Sequence, residues 1–337
     1  MTKSTDIRAL FESFSRQNIM VIGDVMIDAY LWGKVDRISP EAPVPIVSLK
    51  KRESRLGGAA NVALNVQAMG ANPVLCSVVG NDEKSHTFFD LMKVQGLEST
   101  GLITSDHRIT TTKFRIIGNN AQMLRVDEET EKELDDRETL HLQKKIEEII
   151  AERSIDAIVF EDYDKGVITP ALIEQVVEVG RKNKIPVVVD PKKKNFMNYR
   201  GVTLFKPNLK ELREGLKLDD DLDSMEKIMD AVKQLQEMLD VDITLATLSE
   251  KGVCFSSRDT AGNYYTGNIP AHVRDIADVS GAGDTVISII ALCMGAGVDV
   301  RTMAQLSNLA GGLVCEYVGV VPVSKERLLQ EALKTFQ

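Results

Sequence analysis

The sequence has few of the residues that most often build metal centres and disulfide frameworks. Only four of its 337 residues are cysteine and only four are histidine. Cys76, Cys254, Cys293 and Cys315 stand far apart in apolar surroundings, without a Cys-x-x-Cys spacing. We therefore expect buried, reduced thiols in a cytosolic protein, and we expect neither a zinc site nor catalysis by histidine.

Long hydrophobic runs and a basic excess are also missing. The longest nearly apolar run, 286–298, is shorter than the roughly 20 residues that a membrane-spanning helix needs. The first residues mix charges and lack the hydrophobic stretch of a secretory signal. A net charge of −9 argues against a nucleic-acid partner. The sequence thus predicts a soluble, cytoplasmic protein with no membrane or nucleic-acid partner.

Familiar phosphate-binding motifs are absent as well. The chain contains no Gly-x₄-Gly-Lys-Ser/Thr loop, no His-Arg-Asp triplet and no Asp-Phe-Gly triplet. These absences exclude the P-loop enzymes and the protein kinases. Any phosphate chemistry must therefore use other residues.

Short β-rich runs alternate with helical patterns along the chain. The runs that predict strands are Ile19–Val25, Pro73–Val79, Ile155–Phe160, Ile185–Val189, Val202–Phe205 and Ile243–Thr247. Helical patterns occupy about 58–69, 83–95, 136–151, 170–182 and 223–239, and most of the chain after Asp284. Nearly continuous apolar strands between helices are typical of a doubly wound α/β fold, in which ligands bind beyond the carboxyl ends of the strands.

Two segments interrupt this rhythm. Residues 30–50 carry three prolines between strand-like pieces, and residues 110–127 alternate like a hairpin around Gly118-Asn119-Asn120. We expect about 30–50 and 109–127 to form a small accessory sheet, inserted in the core, that acts as a lid over the substrate. The alternative is a surface hairpin without a gating role.

The most informative stretch is Asp278-Val-Ser-Gly-Ala-Gly-Asp284, which leads directly into an apolar helix. The backbone N–H groups of Gly281, Ala282 and Gly283 then lie at a helix N-terminus, where an anion is favoured. A carboxylate in the same turn would repel a phosphate unless it had a chemical task. Because transfer of a phosphoryl group to a hydroxyl requires a base beside an anion site, this turn predicts the catalytic centre of a small-molecule kinase.

Further polar groups follow the first strands. Asp24 and Asp28 can accept hydrogen bonds from a polyol, or Asp24 serves only the turn that it occupies. The glycine pair that ends at Gly58 permits close backbone approach, and Asn61 can bond a sugar hydroxyl; tight packing alone also explains this pattern.

The middle of the chain places acids and bases where strands end. Glu161–Gly166 and Asp190-Pro-Lys192 follow two predicted strands. Asn208 and Glu211 share one face of a first helical turn, where they either organise a hydrated Mg²⁺ or form a capping box. The segment Thr247–Gly252 either wraps a nucleotide phosphate or is a plain turn.

The order of these motifs resembles the ribokinase (PfkB) family of sugar kinases, from about residue 18 to the end of the chain. Within that family, the chain is similar to the kinase part of the D-glycero-β-D-manno-heptose-7-phosphate kinases. The segments that carry this likeness are Gly23–Tyr30, Arg37–Pro45, Arg125–Asp127, Asp162–Gly166 and Asp190–Lys192. The resemblance implies a three-layer α/β/α fold with a β lid. Because no His-x-Gly-His motif is present, it also implies the form without an adenylyltransferase domain.

The resemblance also implies roles for individual residues. Asp284 matches the catalytic base and Gly281–Gly283 the anion hole. The sugar-side positions are Asp24, Asp28, Gly58 and Asn61, and the cations that are candidates for a substrate phosphate are Arg125, Lys165, Lys192, Arg37, Lys113 and Arg115. The nucleotide-side positions are Asn208, Thr247, Ser249, Gly252, Gly281, Gly283 and Asn308, and Ser249 stands where many relatives have glycine. Asn208 and Glu211 match a pair that holds Mg²⁺ through water, and Asp278 and Ser280 match a K⁺ site.

The expected reaction is transfer of the γ-phosphoryl group of ATP–Mg²⁺ to the anomeric hydroxyl of heptose 7-phosphate, which gives the 1,7-bisphosphate for lipopolysaccharide precursors. A kinase for fructose, ribose or a nucleoside is the alternative. A ligand-sensing protein without catalysis is a more remote one. We further expect a homodimer formed through the lid, since an exposed sheet edge invites pairing.

Overall fold

The computed structural model describes residues 6–218, 222–259, 261–272 and 274–336. The strands are β1 (Asn18–Gly23), β2 (Val25–Ile38), β3 (Pro45–Gly58), β4 (Asn72–Gly80), β5 (Gly101–Ser105), β6 (Thr112–Gly118), β7 (Ala121–Glu128), β8 (Ala157–Glu161), β9 (Val187–Asp190), β10 (Leu204–Phe205), β11 (Ile243–Thr247), β12 (Val253–Arg258) and β13 (Tyr264–Ile269). The helices are α1 (Ile7–Phe14), α2 (Ala59–Ala68), α3 (Glu83–Gln95), α4 (Asp136–Glu152), α5 (Pro170–Asn183), α6 (Leu209–Gly215), α7 (Met225–Leu239), α8 (Ala282–Gly295), α9 (Val300–Val314) and α10 (Lys325–Thr335).

Nine strands form one large sheet, in the order β13-β12-β11-β10-β9-β8-β1-β4-β5. The seven strands from β11 to β5 are parallel, whereas β12 and β13 add an antiparallel edge. Apolar helix faces cover both sides: α2, α8 and α9 pack on one core, and α4, α5 and α7 on the other. The molecule is therefore a three-layer α/β/α structure, as the sequence predicts.

The predicted strands all appear, with ends that differ by up to two residues, and the predicted helices appear at their expected places. The sequence analysis missed β5, β12 and β13, and also α1. β13 is an edge strand whose first five residues are half-buried or exposed, so it lacks the continuous apolar run that marks the central strands. None of the helices in the described ranges is long and apolar enough to cross a membrane.

A separate four-stranded sheet, here called the small sheet, has the order β3-β2-β6-β7. The predicted hairpin is confirmed, because β6 and β7 pair antiparallel around Asn119 and Asn120, whose φ angles are 52° and 64°. β2 and β3 are each 14 residues long, longer than the predicted segment allows. β2 begins just after β1, and β3 ends just before α2. The small sheet is therefore connected to the large one through these two elements.

The small sheet has two chemically different faces. Residues that pair directly across strands point to the same side. Asp28, Lys113 and Asp127 pair in one row and belong to what we call the polar face. The opposite side of the sheet is what we call the apolar face. It includes the cross-strand neighbours Leu31, Ile116 and Leu124.

Candidate active site

Asp284 lies in the first turn of α8 and is 5% exposed. Its Oδ2 accepts a hydrogen bond from Asn61 Nδ2 at 2.7 Å, and its Oδ1 accepts one from the Tyr163 hydroxyl at 2.8 Å. Burial raises the pKa of Asp284 above its usual value, and the two donated hydrogen bonds oppose that rise. The carboxylate is thus held by two neutral donors, an arrangement suited to a base.

The turn before α8 supplies backbone amides. Gly281 is the N-cap residue, with a φ of 80°. The Ala282 N–H already donates to the Val279 carbonyl at 3.3 Å. A side chain at Gly283 would approach Asp190 Oδ2 and Lys206 Nζ, at 3.5 and 3.9 Å. The predicted anion hole therefore faces a buried charge pair, and its role stays a prediction.

Three charged side chains converge from neighbouring strands. Val159, Val188 and Leu204 belong to the core under α8. Two residues further on, Glu161, Asp190 and Lys206 therefore point to the same side, at the carboxyl ends of β8, β9 and β10.

These three side chains are almost fully buried. Lys206 Nζ and Asp190 Oδ2 form an ion pair at 2.8 Å. Glu161 Oε2 has no hydrogen-bond partner among the described residues. Burial, and then the charges of Asp190 and Asp284, raise the pKa of Glu161 well above its usual value. The sequence analysis noted the acids but assigned no role to Lys206.

Asn208 and Glu211 form the capping box that was the alternative to a metal site. Asn208 Oδ1 accepts from the Glu211 N–H, and Glu211 Oε2 accepts from the Asn208 N–H, both at 2.9 Å. The other carboxylate oxygen of Glu211 accepts from Lys192 Nζ at 3.1 Å. Burial lowers the pKa of Lys192, but Asp190 and Glu211 outweigh it and hold the pKa above its usual value.

The predicted sugar-side carboxylates differ in their surroundings. Asp24 is wholly buried, and its oxygens accept backbone hydrogen bonds from Tyr163, Lys165 and Val167 at 2.8 to 3.1 Å. These bonds match the turn role, and the sugar-side role of Asp24 stays a prediction. Asp28 lies on the polar face and is paired with Arg115.

Gly58 and Asn61 begin α2 beside Asp284. Gly58 has a φ of 60°, and a Cβ there would collide with the Asp24 carbonyl, so only glycine fits this approach. Asn61 was expected to bond the sugar, but its Nδ2 donates to Asp284. Asn65, one turn later, donates to the Asn61 carbonyl at 3.0 Å and steadies it.

Tyr163 is the main residue that the sequence analysis missed. It lies in the Asp162–Gly166 segment that carries the family likeness, and the motif itself was the only available signal. The Nζ atoms of Lys113 and Lys192 lie 5.5 and 5.3 Å from the centroid of its ring. Tyr163 therefore connects the polar face, the strand ends and Asp284.

Most candidate cations for a substrate phosphate already have partners. Lys165 pairs with Glu129 and Glu131, Arg125 with Asp127, Arg115 with Asp28, and Lys192 with Glu211. Arg37 lies exposed near the far end of β2. Lys113 is half-buried, and no carboxylate among the described residues lies within 4.0 Å of its Nζ.

Four of the seven predicted nucleotide-side residues, Thr247, Ser249, Gly252 and Asn308, line one cavity of about 460 Å³. Asn208, Gly281 and Gly283 are not among the residues that line it. Val279 and Val286, on either side of the α8 start, line it too, so the cavity adjoins Asp284 along the chain. The cavity also includes His272 and Arg274, which the sequence analysis did not single out.

The turn at this cavity depends on two unusual backbone conformations. Gly252 has a φ of 88°, and a Cβ would collide with the Ile269 carbonyl. Ser249 has a φ of 53°, in the left-handed region where glycine is favoured. The serine thus adopts a backbone conformation that favours glycine, the residue that the family resemblance implies there.

Asp278 and Ser280 lie together where a K⁺ site was expected. Asp278 Oδ1 accepts from the Ser280 N–H and Oδ2 accepts from the Gly319 N–H, both at 2.9 Å. These bonds fold the turn before α8 against the segment after α9. The K⁺ site stays a prediction.

Another cavity, of about 360 Å³, lies at the amino ends of β9 and β11 and is lined by Arg181, Lys184 and Arg258 among others. Arg258 is paired there with Asp240. Because the carboxyl ends of the strands hold Asp284 and its neighbours, this cavity is at the wrong end of the sheet for the chemistry described above.

Known proteins resemble this chain in sequence. A sequence model described as the pfkB family carbohydrate kinase matches residues 16–327. The bifunctional protein HldE of Geotalea uraniireducens is 36% identical over 328 residues, which cover 97% of this chain and 65% of that protein. The chain therefore spans about 65% of the length of that relative.

Solved structures with the same fold are more distant in sequence. Phosphofructokinase-2 of Escherichia coli in complex with potassium superposes with a TM-score of 0.74 at 15% identity, covering 95% of this chain and 98% of that one. Ribokinase of Arabidopsis thaliana, complexed with ribose and ATP, has a TM-score of 0.69 at 16% identity, covering 94% and 98%. At these identities the likeness establishes the fold.

Proposed function

Because this chain belongs to the pfkB family of carbohydrate kinases, we propose that it transfers the γ-phosphoryl group of ATP to the anomeric hydroxyl of D-glycero-β-D-manno-heptose 7-phosphate. The observation that carries this proposal is the position of Asp284. Its buried carboxylate stands at the start of a helix, between two hydrogen-bond donors and beside a nucleotide-sized cavity. The product is the 1,7-bisphosphate, a precursor for lipopolysaccharide.

In the proposed reaction Asp284 accepts the proton of the sugar hydroxyl as that oxygen attacks the phosphoryl group. The amides at the start of α8 and the positive end of the helix dipole stabilise the charge on the transferred group. Lys206 supports the same task, since its ammonium group lies close to Gly283. Because the base and the anion site lie in one helical turn, no movement is needed to bring them together.

The start of α6 supports a Mg²⁺ ion held through water by Glu211 and Asn208. Each carboxylate oxygen has a second lone pair, so Glu211 can bond water in addition to its capping-box and Lys192 partners. Bound there, Mg²⁺ would offset the charge of the ATP phosphates. We also propose K⁺ at Asp278 and Ser280; a related kinase was solved in complex with potassium.

A phosphorylated sugar is supported by Lys113. This cation lies on the polar face near Tyr163, is half-buried, and lacks a carboxylate partner among the described residues. Asp28, Asp127 and Glu129 act on its charge from a distance, but none of them forms an ion pair with it. A partly desolvated cation without a direct ion pair favours an anionic ligand. Asp28, on the same face, would accept hydrogen bonds from sugar hydroxyls. The heptose itself is favoured by the likeness to HldE and by the sequence motifs.

The small sheet is proposed to act as a lid, with its polar face towards the sugar. Lys113 already reaches Tyr163 from this sheet, which supports that orientation. We further propose that the apolar face pairs with a second copy of the chain.

An assay of ATP consumption tests the proposal. Heptose 7-phosphate, fructose, ribose and a nucleoside are offered in turn as acceptors to the purified chain. We expect turnover only with the heptose phosphate. Turnover with another acceptor would contradict the substrate, and ATP use with none of them would contradict the kinase.

The variant Asp284→Asn should lower kcat by about 10²–10⁴-fold, the scale of a lost general base, while nucleotide binding persists. Asp135→Asn is a matched control, because Asp135 caps α4 and asparagine caps a helix equally well. Near-normal turnover in Asp284→Asn would exclude the proposed base.

A further inference from the structure

Tyr163 touches the carboxylate on which the proposed function depends. Its hydroxyl donates to Asp284 Oδ1 at 2.8 Å. Burial raises the pKa of the phenol well above its usual value, so the group stays protonated and can only donate to this carboxylate. The phenol is therefore a hydrogen-bond donor to the ionised Asp284 carboxylate.

The position of Tyr163 is itself fixed by buried backbone contacts. Asp24 accepts hydrogen bonds from the N–H groups of Tyr163, Lys165 and Val167. One wholly buried carboxylate thus binds three backbone amides of the loop after β8. This gives Asp24 a role in the site that does not depend on contact with the sugar.

The charged groups around Asp284 come from several elements. Glu161 on β8, Asp190 on β9 and Lys206 after β10 face it from the large sheet. Lys113 on β6 and Lys192 after β9 lie beside the Tyr163 ring. The two acids disfavour a charged Asp284, whereas Lys206 favours it. In this balance the hydrogen bonds from Asn61 and Tyr163 both favour the ionised carboxylate.

We propose that Tyr163 is a positioning residue for the catalytic base: its phenol keeps the Asp284 carboxylate ionised and oriented to accept the proton of the sugar hydroxyl. This inference rests on the proposed function. It adds a residue that acts through the base. Asn61 fixes the second oxygen of the same carboxylate from α2.

The variant Tyr163→Phe removes the hydroxyl and leaves the ring. We expect the acidic limb of the kcat profile to move to higher pH by about one unit, the scale of one hydrogen bond to a charged group. At neutral pH kcat should fall about 10-fold, with a smaller change in KM. An acidic limb that stays at the wild-type pH, with an equal loss at every pH, would overturn the proposal.

Tyr199→Phe is the matched control. The Tyr199 hydroxyl donates to Asp162 Oδ2 at 2.6 Å, which is another buried phenol–carboxylate bond, at a different carboxylate. This variant should leave the acidic limb of kcat in place even if it lowers the melting temperature. An equal shift in both variants would mean that any buried phenol has the same effect, and would overturn the specific role of Tyr163.

Two further measurements keep the test decisive. If Tyr163→Phe does not fold, 3,5-difluorotyrosine at position 163 keeps the shape and strengthens the donor, so the limb should move to lower pH; no shift would overturn the proposal. Titration of the Asp284 carboxyl by ¹³C NMR, assigned with Asp284→Asn, needs no turnover. A wild-type chain that phosphorylates no sugar would refute the proposed function, while the titration still reports whether Tyr163 controls Asp284.

Discussion

Asp162 is a buried carboxyl next to Tyr163 in the chain and 1% exposed. Its oxygens accept hydrogen bonds from the Tyr199 hydroxyl at 2.6 Å and the Asp164 N–H at 2.8 Å. Burial, with the charge of Asp24 as the next contribution, raises the pKa of Asp162 to about 6 from a usual value of 3.8. The folded protein therefore binds a proton here at a pH where the unfolded chain does not.

This shift predicts how stability depends on pH. The favourable contribution of protonated Asp162 is complete below pH 3.8 and is lost as pH rises through about 6. Between pH 4 and 7 the wild type should lose roughly 2 kcal/mol of unfolding free energy that Asp162→Asn does not lose. Denaturant unfolding of both proteins across this range measures the difference, and parallel profiles would contradict it.

Single residues also show what a sequence can predict. Asp284 could be placed at a helix start because the small residues before it and the apolar run after it are its neighbours in the chain. The glycine pair predicted a close backbone approach at Gly58, but not that the Asp24 carbonyl is the group approached. Tyr163 and Lys206 could not be placed, because their partners lie elsewhere in the chain. The Tyr163–Asp284 hydrogen bond joins residues 121 positions apart, and only the folded sheet brings them together.

At the scale of elements, the start of α6 combines two roles that the sequence offered as alternatives. The capping box between Asn208 and Glu211 is present. Its carboxylate also lies against Lys192 at the mouth of the site. A cap and a water-mediated metal contact are compatible, because the cap uses one lone pair of each oxygen.

The variant Glu211→Gln separates the two roles. Glutamine at this position still accepts from the N-cap N–H, so the melting temperature should change little. The charge that holds Mg²⁺ is lost, and the Mg²⁺ concentration for half-maximal activity should rise at least about 10-fold.

Glu138→Gln provides the control, since Asp135 and Glu138 form the same capping box at the start of α4. Its Mg²⁺ dependence should equal that of the wild type. If both variants respond to Mg²⁺ alike, α6 has only a structural cap and the metal is held elsewhere.

The central strands of the large sheet could be predicted because helices cover both of their faces, which requires continuous apolar runs such as Ile243–Thr247. The antiparallel edge could not be predicted in the same way. Along β13 most side chains are exposed, and Gly267 has no side chain. Neither a continuous nor an alternating apolar pattern is therefore present. β2 and β3 extend beyond the expected segment for a related reason: their inner ends are buried and their outer ends are not.

At the scale of the whole molecule, the main core covers only the inner end of the apolar face of the small sheet. Its inner end, around Ile27 and Leu56, is buried in the main core. Its outer end is open: on the apolar face Leu124 is 54% exposed and Val126 is 43% exposed. Exposed apolar side chains grouped on one sheet face are typical of a protein–protein interface, which supports pairing of this face with a second copy.

The variant Leu124→Glu tests this interface by placing a charge on the apolar face. We expect the wild type to sediment as a dimer and Leu124→Glu as a monomer with unchanged circular dichroism, because a buried, unpaired carboxylate opposes association. Leu140→Glu on α4 is the matched control. Leu140 is 50% exposed, but it lies on a helix that packs on the large sheet. It should remain dimeric. If Leu124→Glu keeps the wild-type mass, or if the wild type is itself a monomer, the small sheet closes over the sugar without help from a second chain.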